Sequence, residues 1–161
     1  MGVKIEAMRE LAEMLAGGDR RSIGRADDVV ALVAAAPQRF EELWACLKHA
    51  DGLVRMRAGD TLEKLSRTGM APFRSHKKEL LGGALDDGSA ELRWHLIPMA
   101  ARLTLTEGEA AKLCGTLDER LRQDKSRIVR VAALQAGFEL AARQSPACRG
   151  FPAHVGLCAR L

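Results

Sequence analysis

The feature that most narrows what this chain can fold into is an internal repeat. Asp51-Gly-Leu-Val-Arg-Met-Arg57, Asp87-Gly-Ser-Ala-Glu-Leu-Arg93 and Asp124-Lys-Ser-Arg-Ile-Val-Arg130 align without gaps. Each runs from Asp through five residues to Arg, and an apolar residue, Met56, Leu92 or Val129, stands directly before that Arg. The aspartates are 36 and 37 positions apart, and a fainter copy from Asp19 to Arg25 begins 32 positions before Asp51. A repeated unit of this length cannot bury its apolar face alone and is stabilised by stacking on its neighbours. The period is that of a helix pair.

Composition agrees with helices. Ala is abundant and β-branched residues are sparse outside Val29, Val30, Val33, Ile128, Val129 and Val131, a balance that favours helix over strand. Tyr is absent, so Trp44, Trp94 and four Phe supply all the aromatic area and aliphatic packing must carry the core. Residues 3–16 place Ile5, Met8, Leu11, Ala12 and Leu15 on one stripe, and Gly17-Gly18 stops them, which predicts an N-terminal capping helix within residues 1–18. Helices of a first kind are expected near 22–35, 53–67, 89–103 and 126–143, and of a second kind near 38–49, 72–86 and 107–123. Pro37 and Pro72 fall where a first-turn proline is tolerated, and Thr106-Glu-Gly-Glu109 has the form of a capping box. Pro98 lies inside its helix and predicts a kink. In the helix from Ser126, Ile128, Val131, Leu134 and Phe138 form one stripe and Val129, Ala133, Ala136 and Leu140 another, an apolar surface wide enough to need cover on two sides.

An Asp turn followed by an apolar-Arg pair that opens an apolar helix resembles the first helix of a HEAT repeat, and the resemblance covers about residues 19 to 144. The period is shorter than the roughly 40–47 residues of HEAT and armadillo units, which leaves related short α-solenoids open. The expected fold is all-α: a right-handed α-α superhelix of three to four helix pairs in one domain over 1–161, with repeats over 19–144 and an irregular tail over 145–161. The resemblance implies that Asp51, Asp87, Asp124, Arg57, Arg93 and Arg130 form a structural ladder between neighbouring repeats. It also implies that the second helices line a concave binding face.

After Gln144, two Pro and two Gly make another full helix a poor fit, so the last repeat lacks its partner helix. Either the tail folds over the exposed flank or that end is an oligomer contact. Cys46, Cys114, Cys148 and Cys158 form no C-x-x-C pair and are expected as free thiols. Cys148, His154 and Cys158 supply only three ligands at a spacing unlike common zinc fingers, so no metal and no cofactor is expected. The N-terminus carries charges where a signal peptide needs its apolar stretch, and Val29 to Ala36 is too short to cross a bilayer. A cytoplasmic protein with no membrane contact is expected.

For function, the repeat points to a non-enzymatic scaffold that binds another protein through the concave face. The second expectation is nucleic-acid binding, because the densest basic cluster, Arg74, His76, Lys77 and Lys78, lies at the start of a second helix, with Lys48 and His49 before it and Lys112, Arg120 and Arg122 after it. Cations at a helix N-terminus oppose the macrodipole and favour an anionic partner; a solvated charged face partly neutralised by Glu79, Glu41, Glu42, Glu107 and Glu109 is the competing account. Trp44 and Trp94 are core candidates first and stacking platforms second. A third expectation is set by HEAT-like DNA glycosylases, which combine a basic channel with Trp and Asp, although their motif finds no residue-by-residue match here. No His is followed by Glu, so the metal pairs of HEAT-repeat hydroxylases are missing, and no catalytic residue is assigned.

Overall fold

The computed structural model describes residues 10–19, 21–82, 89–143 and 149, and every regular element among them is helical. The chain divides into two compact bodies, Met1–Pro72 and Phe73–Leu161.

The first body contains α1 (residues 10–15), α2 (Ala26–Ala35), α3 (Phe40–Ala45) and α4 (Gly52–Thr68). Asp51 starts α4 by accepting the Leu53 N–H at 2.8 Å, and Gly69 ends it. Both α2 and α3 pack on α4. Their inward residues, among them Val29, Val33, Phe40, Leu43, Trp44, Val54 and Leu62, form the core with Leu11 and Leu15 of α1. Two ion pairs reach between elements: Lys64 of α4 meets Asp27 of α2 at 2.7 Å, and Arg39 meets Glu10 of α1 at 3.0 Å.

A further tie is made by one guanidinium. Arg57 is 1 % exposed and donates six hydrogen bonds, to the carbonyl oxygens of Leu15, Ala16, Gly17, Asp19 and, twice, Ser22. The carbonyls at a helix C-terminus have no intrahelical partner and carry the negative end of the macrodipole. Arg57 therefore caps α1 from another helix and gathers the α1–α2 connection around itself. Gly17 (φ 74°) and Gly24 (φ 56°) bend the chain into that wrap, and a Cβ at Gly24 would lie 2.8 Å from an Arg57 Nη.

Two helices differ from expectation. The segment near 22–35 is helical only from Ala26, because the Asp19 carboxylate takes the Arg21 and Ser22 N–H groups and Ser22 Oγ takes that of Gly24. The segment near 38–49 is three pieces, 3-10 turns at Pro37–Arg39 and Cys46–Lys48 around α3. Its tightened end leaves the carbonyls of His49 and Ala50 outside the helical path, where Arg55 Nη1 takes both at 2.7 and 2.8 Å.

The second body contains a 3-10 turn ending at His76, then α5 (Lys77–Leu81), α6 (Ala90–Arg102), α7 (Glu107–Gln123) and α8 (Arg127–Ala142). The expected helix over 72–86 is cut short at Leu81, where Gly82 leaves helical geometry; Asp87 lies outside the described residues. The Thr106–Glu109 capping box opens α7, and Ser89 caps α6. Pro98 sits inside α6, which continues to Arg102 although Pro98 has no N–H to give the Trp94 carbonyl.

Packing joins α8 to both α6 and α7, and α5 to α6. Leu92, Leu96, Met99, Leu113, Leu117, Leu121, Val129, Ala133 and Leu140 are buried. The second stripe of α8 departs from expectation: Ile128 and Val131 are each 48 % exposed, and Leu134 and Phe138 are half-buried. Among the described residues α6 and α7 pack on α8, whose Val129–Ala133–Leu140 side is buried, while Ile128 and Val131 are left exposed.

Of the cysteines, Cys46 is a buried free thiol, whereas Cys114 is disulfide-bonded, which corrects the expectation of four free thiols. Sequence spacing alone could not reveal that bond, whose partner lies outside the described residues. Cys148, His154, Cys158 and the tail over 145–161 also lie there, Arg149 excepted. No described helix is long and apolar enough to cross a membrane.

Candidate functional site

The basic cluster is the sequence's main candidate for a site, and its members have different fates. Lys48 and His49 belong to the first body, where both are exposed. His49 Nδ1 accepts the Asp51 N–H at 3.1 Å, so this ring supports the turn into α4. The others belong to the second body.

Lys77 is a structural residue. Its Nζ donates to the Thr104 carbonyl at 2.7 Å and lies 2.6 Å from Glu109, which fixes the start of α5 against the start of α7. Glu109 also accepts the Thr106 N–H at 2.7 Å. The hydrogen bond from Lys77, and after it the one from Thr106, holds the Glu109 carboxyl below its ordinary value of 4.5. Such a group stabilises the fold above its unfolded pKa, and the contribution fades as pH falls through the lowered one. In an NMR titration Glu109 is expected to have its midpoint below 4.5, and Lys77→Met should move it back up. A midpoint that ignores Lys77→Met contradicts the bridge.

His76 Nδ1 faces Glu79 at 3.6 Å. Arg74, Lys78 and Lys112 remain exposed, Lys78 next to Lys77 and Lys112 one helical turn beyond Glu109. Charge is divided unevenly along the chain: residues 1–72 hold 11 Lys and Arg against 11 Asp and Glu, and residues 73–161 hold 14 against 10. The whole excess of +4 thus falls in the second body. That signal was present in the sequence, but it has meaning only once the body boundary is known.

The ladder residues also separate. Arg93 reaches Asp124 at 3.2 Å, from one repeat to the next, and Arg120 stands 3.8 Å from the same carboxylate. The Asp124 side chain is 2 % exposed and also accepts the Ser126 N–H at 2.9 Å, which shapes the turn into α8. Arg130 donates to the Leu121 carbonyl at 2.8 Å, Asp51 caps its own helix and Arg57 serves α1.

The remaining candidates lie in packing positions. Trp44 is 4 % exposed and stacks on Phe40 with centroids 6.0 Å apart. Trp94 is half-buried beside the His95 ring at 3.7 Å. Burial, and then the nearby Glu42 charge, pushes the Cys46 thiol up to about 11, far from the range of a reactive thiolate. Among the described residues no three His, Cys, Asp or Glu side chains converge as metal ligands. No family model, curated protein or solved structure matches the chain.

Proposed function

We propose that this protein is a non-enzymatic, HEAT-like helical scaffold that binds another protein, and that the open flank of α8 is part of the contact. The observation that carries the reading is the pair Ile128 and Val131, each 48 % exposed on a helix whose opposite side is buried on α6 and α7. Large apolar side chains grouped on the free flank of a stacked helix mark a place where a further element can stack. The packing of α6 on α8, and of α2 on α4, gives support, because helices next but one in sequence are neighbours when hairpins stack along a line.

Ile128→Glu with Val131→Glu tests the reading. Both positions are exposed, so the helical circular dichroism should persist. Partners captured from a lysate after nuclease treatment are expected with the parent chain and lost with the variant. Equal capture by both chains would remove α8 from the interface. A cytoplasmic setting belongs to the same proposal and implies that the Cys114 disulfide is open there, which thiol alkylation at the moment of lysis measures.

A further inference from the structure

We propose that Arg74, Lys78 and Lys112 form a surface that binds the phosphate backbone of duplex nucleic acid. This inference is independent of the α8 contact, since it concerns other elements and another chemistry.

All of the chain's net positive charge belongs to the body that holds these three residues. Lys77 ties the start of α5 to the Thr104 carbonyl and to Glu109, so the element that carries Lys78, and Arg74 three residues before Lys77, is held against the start of α7, where Lys112 stands three residues after Glu109. The bridge also neutralises Glu109, and Glu79 faces His76. One nearby carboxylate, Glu109, is thus engaged with another cation. Arg74, Lys78 and Lys112 have no acidic partner among the described residues, and Glu107, exposed in the first turn of α7, is the acid that opposes them.

Among the described residues, no exposed Phe or Trp lies beside these cations in the sequence, which favours a duplex over a single strand. Phe73, the aromatic residue beside Arg74, is fully buried and offers no face to a base. Binders of single strands combine cations with aromatic stacking platforms, whereas contacts from cations to phosphates alone read no sequence. A duplex presents its phosphates in a fixed row, which suits charges held on two clamped elements.

Fluorescence anisotropy with two labelled duplexes of unrelated sequence and a single strand of equal length tests this. Three phosphate contacts predict a slope of about −2.7 in log K against log salt, or roughly 40-fold weaker binding at 200 mM than at 50 mM salt. Both duplexes should bind alike and more tightly than the single strand. The triple variant Arg74→Gln, Lys78→Gln, Lys112→Gln should lose at least about tenfold in affinity at low salt and most of the slope. Arg122→Gln, which removes an exposed cation paired with Asp118, should change affinity less than about twofold. Circular dichroism and thermal melting check that the variants are folded. The proposal is overturned if the parent chain shows no salt-dependent binding, if the triple variant binds as the parent does, or if Arg122→Gln loses as much. Preference for the single strand, or displacement of the duplex by polyglutamate at equal charge, overturns it as well, the latter pointing to an acidic protein.

Discussion

Arg57→Met is expected to cost about 3 kcal/mol or more, since a buried, fully hydrogen-bonded charge leaves its partners stranded when it is removed. For a unit of 60–100 residues that corresponds to a fall in melting temperature of at least about 10 °C. The loss comes from the acceptor side. The carbonyls of Leu15, Ala16, Gly17, Asp19 and Ser22 all lose a donor at once, and those with access to water recover part of the loss. Arg57→Lys should regain only part of the stability, because an ammonium cannot span positions that a planar five-donor fork reaches. Gly24→Ala acts on the same wrap from the other side: it demands φ 56° of an alanine and places a methyl against the guanidinium. Hydrogen exchange should show the damage of all three substitutions first in residues 10–24. Uniform loss of protection across α2–α4 with α1 unaffected would mean that Arg57 is an ordinary packing residue.

Asp124→Ala should be the second large effect, again about 3 kcal/mol or more, because it takes the carboxylate from between Arg93 and Arg120 in a nearly dry site. Asp124→Asn separates the two roles of this side chain. An amide oxygen can still accept the Ser126 N–H and keep the turn, so the difference between Ala and Asn, about 1 kcal/mol, reports that hydrogen bond. The rest reports the charge. Replacing Asp124 and Arg93 together by leucine and methionine should recover part of the Asp124→Ala loss, since a buried pair often costs more in desolvation than it returns. Urea denaturation measures all three variants; equal stability of Asp124→Ala and the parent would make the contact incidental.

These two arginines also show what can and cannot be read from the sequence. Both occupy the same repeat position, and both were expected in an Asp–Arg ladder. Arg93 has an aspartate of the next repeat within reach. Arg57 instead binds backbone oxygens, which every residue type carries and no sequence pattern marks. Helix starts were legible where a side chain does the capping, as at Asp51 and Thr106, because the chemistry is local. The fragmentation of residues 37–48 was not, since nothing in the residue pattern marks where the segment tightens into 3-10 turns around α3. The basic cluster was legible as composition only. Its partition into a bridging Lys77 and the exposed Arg74, Lys78 and Lys112 depends on Glu109, a residue 32 positions beyond Lys77 and brought to it only by the fold. The width of the apolar surface on α8 was visible in the spacing, but which flank is covered depends on where α6 and α7 lie.

A lock made of carbonyl oxygens has no acidic proton to take up. Acid that titrates Glu109 and weakens its hold on Lys77 leaves the ligands of Arg57 chemically unchanged. That one tie at the front of the chain is thereby insulated from the acidity that loosens the Lys77–Glu109 bridge, whereas its neighbours Arg39–Glu10 and Lys64–Asp27 are built on carboxylates.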